Sequence, residues 1–308
     1  MKSFLKDNFI CDAQSRELLI KDQIKSHIKS RMAVNINVSV FSKSVCERNI
    51  HMIQFGNVKK NSTLYVGAFH GLEWLTSLVL IRFASMLTKN ICDRKKVNGV
   101  DIVSFLNKYG LVIIPCLNPD GVEISLRGCK AAGRYSKLVQ KVSHGNCSTW
   151  QSNARGVDLN HNFPANWPKL HQLEIESGII GPAPTRFGGP KPLSEPETYN
   201  LAMFCKKYQF RQVFAFHSQG EEIYWDFCDK APAKSKLIAN VLAASSGYAI
   251  SEPEGLAVGG GFKDWFILSF GRPGFTIEIG KGKNPLPVTD LDRVYKTLEE
   301  MLLLGFVL

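Results

Sequence analysis

The stretch Leu64–Leu75, LYVGAFHGLEWL, decides how the rest of the chain is read. Leu64 to Phe69 is a short unbroken apolar run, the pattern of a strand covered on both faces. It breaks at His70-Gly71, and from Leu72 to about Leu87 a segment rich in Leu, Ile and Ala predicts a helix. At the junction, His70 and Glu73 stand three residues apart. An imidazole and a carboxylate at that spacing can point at one ion. Both bind zinc at about 2.0–2.2 Å, and a catalytic zinc takes three protein ligands and keeps an open position. The stretch therefore calls for a third ligand elsewhere in the chain.

Upstream, NINVSVFSKS (35–44) and NIHMIQFG (49–56) alternate apolar with polar residues and predict two strands joined by a turn. Residues 14–32 form a helical pattern with Leu18, Leu19, Ile24 and Ile28 along one face. Residues 1–40 are read as a helical or extended addition packed on a main domain of residues 41–308. Downstream, GLVIIPCLNP (110–119) is a second buried strand ended by the turn chemistry of Pro119-Asp120-Gly121. Residues 127–195 are rich in Gly, Pro, Asn and Trp and lack periodicity; irregular regions of that length are usually functional.

Regular patterns resume with a helix over 195–207, for which Ser194 is the expected N-cap, Pro196 a first-turn residue and Glu197 the capping-box partner. RQVFAFHSQ (211–219), EEIYWDF (221–227) and PGFTIEIG (273–280) read as strands. Helices are expected over 234–245 and 290–304, with a glycine-rich loop at 255–261. Strands alternating with helices give an α/β fold: a single domain whose central mixed, largely parallel twisted sheet is covered by helices on both faces.

Bulk properties narrow the function classes. The chain of 308 residues is 44% apolar and 21% charged, without repeats or low-complexity tracts, so a continuous core is expected. Lys plus Arg number 38 against 27 Asp plus Glu, a formal charge of +11, but the basic residues are scattered. The densest clusters, KDQIKSHIKSR (21–31) and DRKKV (93–97), read as solvated faces, so no nucleic-acid partner is expected. Asp7, Asn8 and Asp12 interrupt the N-terminal apolar residues, and no run of about 18 apolar residues occurs, so neither a secretory leader nor a membrane span is expected. The resulting expectation is a cytoplasmic monomer. The eight cysteines form no C-x-x-C pair and are read as reduced, with a Cys129–Cys147 disulfide as the alternative.

Three of the expected strands end in candidate chemistry: His70 and Glu73 after the first, His217 after VFAF, and Glu278 within FTIEIG. In open α/β sheets ligands bind beyond the carboxyl ends of the strands, so residues far apart in sequence converge there. His217 would then complete a two-histidine, one-carboxylate metal site. Singly, each residue has an ordinary reading: a histidine at a strand end is most often a hydrogen-bonded rim residue, and H-x-x-E recurs by chance. Glu278, between Ile277 and Ile279, is harder to dismiss, because a buried carboxylate is costly unless paired or bound.

The motifs HGLEW (70–74), NPDG (118–121), NARGVDLNHNFP (153–164), GGPKPLSEPET (188–198), HSQGEEIYW (217–225), GFKDWF (261–266) and RPGFTIEIGKGKNPLP (272–287) follow one another in order. With them the chain, from FSKSVCERNI (41–50) to the C-terminal helix, resembles the zinc carboxypeptidase superfamily of the carboxypeptidase A type, peptidase family M14. Within it, the chain is most similar to the bacterial γ-D-glutamyl-L-diamino acid peptidases. The resemblance implies one zinc per chain on His70, Glu73 and His217, with Glu278 as the general base that takes a proton from water and passes one to the leaving amine. It implies a cationic partner for the oxyanion, Arg155 first and Arg134 as the alternative, and Asn160 as a holder of the substrate's carboxylate end. Asp158 would brace the loop.

Two departures bear on the substrate. Where the superfamily's carboxypeptidases read Asn-Arg, this chain reads Asn160-His161, and a neutral histidine lacks the bidentate fork that clamps a terminal carboxylate. Where they carry a tyrosine, it has Leu256. Lys263 and Gly259-Gly260-Gly261 are candidates for shaping the altered pocket. The expected activity is zinc-dependent hydrolysis of the γ-D-glutamyl to meso-diaminopimelate amide in peptidoglycan stem peptides or muropeptides, in wall recycling or spore formation. The alternatives are removal of C-terminal residues from ordinary peptides and an inactive wall-peptide-binding member.

Overall fold

The apolar runs pair into one eight-stranded sheet in the computed structural model, which describes residues 12–28, 33–58 and 61–308. In chain order the strands are β1 (Ile36–Lys43), β2 (Asn49–Phe55), β3 (Thr63–Gly67), β4 (Leu111–Ile114), β5 (Gln212–His217), β6 (Glu222–Tyr224), β7 (Ala249–Ile250) and β8 (Gly274–Glu278). Their spatial order is β1-β2-β4-β3-β5-β8-β6-β7. The central strands β4, β3, β5 and β8 are mutually parallel, and every residue of β3, β4 and β5 is buried, as strands require when helices cover both faces. β1 and β2 extend one side as an antiparallel pair, and β6 adds antiparallel to β8 on the other. The mixed, largely parallel α/β class read from the sequence is the class observed.

The helices are α1 (Ala13–Gln23), α2 (Trp74–Cys92), α3 (Ile102–Lys108), α4 (Pro119–Arg127), α5 (Ser136–Ser143), α6 (Trp167–Glu176), α7 (Pro196–Tyr208), α8 (Lys234–Ser246), α9 (Phe262–Phe270) and α10 (Leu291–Val307). Strand alternation splits the core in two. Tyr65, Phe214 and Phe216 face α2, α8 and α10, joined by Ile20 of α1 and the adjoining Ile24. Leu64, Val66, Val213 and Ala215 face the other way, against Leu201 and Cys205 of α7 and Phe262 and Phe266 of α9. α2 is long and apolar enough to cross a bilayer by length and composition, a property the sequence reading passed over; 67% of that stretch is buried in the protein, so its apolar residues serve the core.

Several local expectations change. Pro119-Asp120-Gly121 is not a free turn but the start of α4, because Asn118 Oδ1 accepts from Gly121 N at 2.8 Å and proline suits the first helical position, where no N–H is needed. The region 127–195 contains α5 and α6, and α3 and α9 appear where no helix was expected. Ser194 does not cap α7. Its hydroxyl turns to the Glu195 carboxylate, and Glu197 accepts from Val45 N at 3.0 Å instead of closing a capping box. The helix expected over 14–32 ends at Gln23 and is followed by a 3₁₀ turn at Lys25–His27; residues 29–32, like Cys11, lie outside the described residues. The boundary drawn at 40/41 falls inside β1, which pairs along its length with β2. Cys129 and Cys147 are free thiols, their sulfurs 2.9 Å apart without a bond.

What matters for the site is the register of three adjacent parallel strands. Gly67 at the end of β3 pairs with Phe216 of β5, and His217 pairs with Glu278 of β8. One edge of the sheet thus gathers residues from around positions 70, 217 and 278.

Candidate functional site

β3 passes into α2 through a turn that leaves little freedom. Ala68 N donates to Thr76 Oγ1, which donates to Glu73 O, both at 2.8 Å. A Cβ on Gly71 would lie 2.3 Å from Gly121 O and 2.7 Å from Trp150 O, so the turn is packed against backbone that cannot retreat. Glu73 sits at the N-cap of α2 yet makes no capping bond, because its carboxylate turns to the histidines. Oε1 lies 2.9 Å from His70 Nδ1 and Oε2 lies 3.1 Å from His217 Nδ1, and the two Nδ1 atoms are 3.3 Å apart. One ligand atom from each of His70, Glu73 and His217 falls within 4.8 Å of the others.

These residues suit a metal ion. The donor set is that of catalytic zinc, two imidazoles and a carboxylate. His70 Nε2 lies 3.0 Å from Asp158 Oδ1, and Asp158 is itself held by the backbone N–H groups of Asn160 and Arg186 at 3.0 and 2.9 Å. With Nε2–H given to Asp158, Nδ1 of His70 is left to donate its lone pair. The His217 ring stacks on Phe69 at 5.1 Å between centroids, and its Nε2 is buried without a hydrogen-bond partner among the described residues, which fits a tautomer with Nδ1 as ligand. The electrostatics agree. Burial works against a charged His70, yet Glu73 and Asp158 hold that imidazole well above its ordinary range, so this cluster of anions demands a cation. Burial likewise opposes charge on Glu73, but His70 and His217 hold its carboxyl down at about 2.

Glu278 closes the group from β8. Burial, and next the charge of Glu73, push its carboxyl well above the usual carboxylate range. It lines a cleft with His70, His217, Asn160, His161 and Lys263. Asn160 Oδ1 accepts from Phe262 N at 3.1 Å, tying that loop to the start of α9. Lys263 is 4% exposed and braced, its ammonium 2.5 Å from both Asp264 Oδ1 and Asp226 O. The 3₁₀ turn Gly255–Ala257 carries Leu256, and it is Ala257 that reaches the cleft.

Arg155 and Arg134 stand elsewhere, which corrects their expected place beside the oxyanion. Glu195 is buried and fixed by Asn153 Nδ2 at 2.7 Å, and it draws Arg155, whose Nη1 lies 3.6 Å from its carboxylate. Arg134 donates to Val45 O at 3.1 Å. Both guanidinium groups line a cavity with Lys43 and Ser194 rather than the Glu278 cleft. Sequence reading also passed over Tyr224 and Thr276, cross-strand partners that line the cleft, with the Tyr224 hydroxyl donating to Glu222 at 2.6 Å. The alternation of Glu222 and Tyr224 in EEIYW was the available signal, since Glu222 pairs with Glu278 itself.

Comparison with known proteins agrees with this geometry. Residues 26–301 match the family model described as zinc carboxypeptidase. The chain is 34% identical over 268 residues to γ-D-glutamyl-L-diamino acid endopeptidase 1 of Lysinibacillus sphaericus, covering 86% of this chain and 66% of that protein's length. In fold it is similar to the crystal structure of thrombin activatable fibrinolysis inhibitor, with a TM-score of 0.70 at 16% identity, over 98% of this chain and 76% of the other. It is also similar to murein-tripeptide amidase MpaA from Escherichia coli O157, with a TM-score of 0.52 at 20% identity, over 88% and 90% of the two chains.

Proposed function

Because the chain belongs to the zinc carboxypeptidase family, we propose that it hydrolyses the γ-D-glutamyl to diamino acid amide of peptidoglycan stem peptides. The observation that carries the reaction is the convergence of His70, Glu73 and His217 with Glu278 at one end of three parallel strands. What supports the substrate is the wall of the cleft: His161 stands beside Asn160, and no guanidinium is among the described residues lining it, so an ordinary peptide's α-carboxylate lacks its usual fork there. The similarity to an endopeptidase named for γ-D-glutamyl-L-diamino acid bonds points the same way.

His70, Glu73 and His217 would hold a zinc ion, which when bound would supply Lewis-acid polarisation of the scissile carbonyl and a more acidic attacking water. Asp158 keeps His70 in the tautomer and orientation that ligation needs. Glu278, half-buried at the end of β8 and raised in pKa, takes the proton of the attacking water and returns one to the leaving amine. The test is mass spectrometry of L-Ala-γ-D-Glu-meso-diaminopimelate and of plain L-peptides after incubation with the zinc-loaded protein. Cleavage at the γ-D-glutamyl bond is expected; release of C-terminal residues from plain peptides with no cleavage of the wall peptide would overturn the reading.

A further inference from the structure

Two thiols that the cleft does not use face each other behind it. Cys129 opens the 3₁₀ turn that follows α4, and Cys147, eighteen residues on, follows α5. The end of α5 turns the chain back: Gly145 N donates to Gln140 O at 3.1 Å and Asn146 N to Ser143 O at 3.0 Å. The two sulfurs meet at 2.9 Å, with Ser143 Oγ 3.6 Å from each. A sulfur–sulfur bond needs about 2.05 Å, so about 0.9 Å separates the pair from bonding. The thiols differ in access. Cys129 is half-buried, whereas Cys147 is 5% exposed, and burial, then its hydrogen bond with Cys129, pushes its thiol up to about 11. Exchange with an external disulfide therefore enters at Cys129, and Cys147 resolves it.

What such a bond would fasten is the wall behind the His70–Glu73 turn. Trp150 N donates to Cys147 O at 3.1 Å, and the Trp150 ring is fully buried with Ala132, Val139 and Ala154. Gly71 N donates to Gln151 O at 2.8 Å, and Asn118 Nδ2 donates to the same oxygen at 3.1 Å. Residues 147–151 are thus a strap across the back of the turn that carries His70 and Glu73. The indole Nε1 of Trp150 is buried without a hydrogen-bond partner among the described residues, so packing holds the centre of the strap. A covalent link from Cys147 to the end of α4 would add a tether there.

We propose that Cys129 and Cys147 form a reversible thiol–disulfide site, oxidised by a low-molecular-weight disulfide, whose bond clips residues 147–151 to the end of α4. Cys129 sulfur, as thiolate, attacks one sulfur of the external disulfide. That bond breaks, a mixed disulfide forms, and the first small thiol leaves with the Cys129 proton. Cys147 sulfur then attacks Cys129 sulfur, and the second small thiol leaves with the Cys147 proton. The two protein thiols give up two electrons, and the external disulfide takes them; excess small thiol runs the sequence backwards. The site is separate from the hydrolytic chemistry and stands whichever amide the cleft cuts.

The test equilibrates the full chain with oxidised and reduced glutathione, alkylates the remaining thiols and maps them by mass spectrometry. The oxidised product should be lighter by two hydrogen atoms, with Cys129 joined to Cys147 and the other six of the eight cysteines alkylated. Excess reduced glutathione should restore all eight thiols. Cys147→Ser should instead carry one glutathione on Cys129, and Cys129→Ser should leave Cys147 unmodified. Hydrogen exchange on the wild type needs no variant: the Gly71 and Trp150 amides should exchange about tenfold more slowly in the oxidised form. Its melting temperature should rise by about 3–8 °C. Cys129 and Cys147 remaining as thiols under excess oxidised glutathione overturns the proposal, as do glutathione adducts on them without a bond between them. So does an oxidised form whose Gly71 exchange changes by less than about twofold.

Discussion

Asp158→Asn removes a residue that is not among the three metal ligands yet governs one of them. In the wild type, Oδ1 takes His70 Nε2–H and Asn160 N–H, both at 3.0 Å, and Oδ2 takes Arg186 N–H at 2.9 Å. Asparagine has one oxygen for these three donors. Placed at Oδ1, where two donors wait, it leaves its own N–H₂ against Arg186 N–H, at about 1–3 kcal/mol for the unsatisfied donor. Placed at Oδ2, it turns N–H₂ toward His70 and drives the ring into the tautomer that carries its hydrogen on the metal side. Either way the carboxylate that strengthens His70 as a ligand is gone, and loss of such a partner typically weakens metal binding by about 10–100-fold. Proton competition sharpens the expectation. In the metal-free wild type, Glu73 and Asp158 hold the His70 imidazole well above its ordinary range, so a metal must displace that proton. Asp158→Asn lowers this barrier, so the affinity gap should be smallest in acid and widen as pH rises. The assay is zinc competition against a chromogenic chelator across pH, with thermal melting of the zinc-loaded protein as the check on folding. A folded variant within about twofold of wild-type affinity at pH 8 would refute the reasoning, against the typical loss for such partners.

Glu278→Gln should keep zinc affinity while hydrolysis falls by about 10²–10⁴, measured by turnover and metal analysis of the same preparation. Arg155→Ala, which removes a side chain facing Glu195 rather than the cleft, should leave kcat within about threefold by the same assay, since only groups that stabilise the transition state move kcat strongly. Glu197 is fully buried, its Oε2 has no partner, and burial, then the charge of Asp120, push its carboxyl from 4.5 to about 8. A carboxyl raised on folding contributes stability that is complete below the unfolded value and is lost as pH rises through the folded one. Glu197→Gln should therefore gain on wild type between pH 5 and pH 8.5, by on the order of a few kcal/mol, and a pH-independent difference in denaturant unfolding would count against it. Gly71→Ala should destabilise by about 1–3 kcal/mol, read as a lowered melting temperature with weakened zinc binding, because its Cβ would meet the carbonyls of Gly121 and Trp150.

The fold class and the convergence of three strand ends were legible because both follow from local pattern and general topology. An unbroken apolar run of five or six residues bounded by turn-forming residues fits a buried strand, and polar residues just past such strands gather at one edge of a parallel sheet. Shorter elements were not legible. WPKLHQLEIE, now α6, lies among turn-forming residues and carries only Leu170 and Glu174 as buried positions, so its helix stands on packing rather than on a periodic apolar face. Pro119 was ambiguous for the opposite reason: the chemistry that starts a turn also starts a helix, and Asn118 decided between them.

By itself, the sequence determined the α/β architecture and the identity of the chemical groups, two histidines and two glutamates at three strand ends, because hydrophobic period and side-chain chemistry are properties of residues and their neighbours. Only the tertiary structure decided which way long side chains point. Arg155 turns from the cleft because Glu195, forty residues on, is buried within its reach, and His161 turns toward the cleft because Glu174 and two glycines hold it from behind. A guanidinium or an imidazole takes its direction from whichever buried charge lies within a few ångströms, and that distance is set by packing, not by position along the chain.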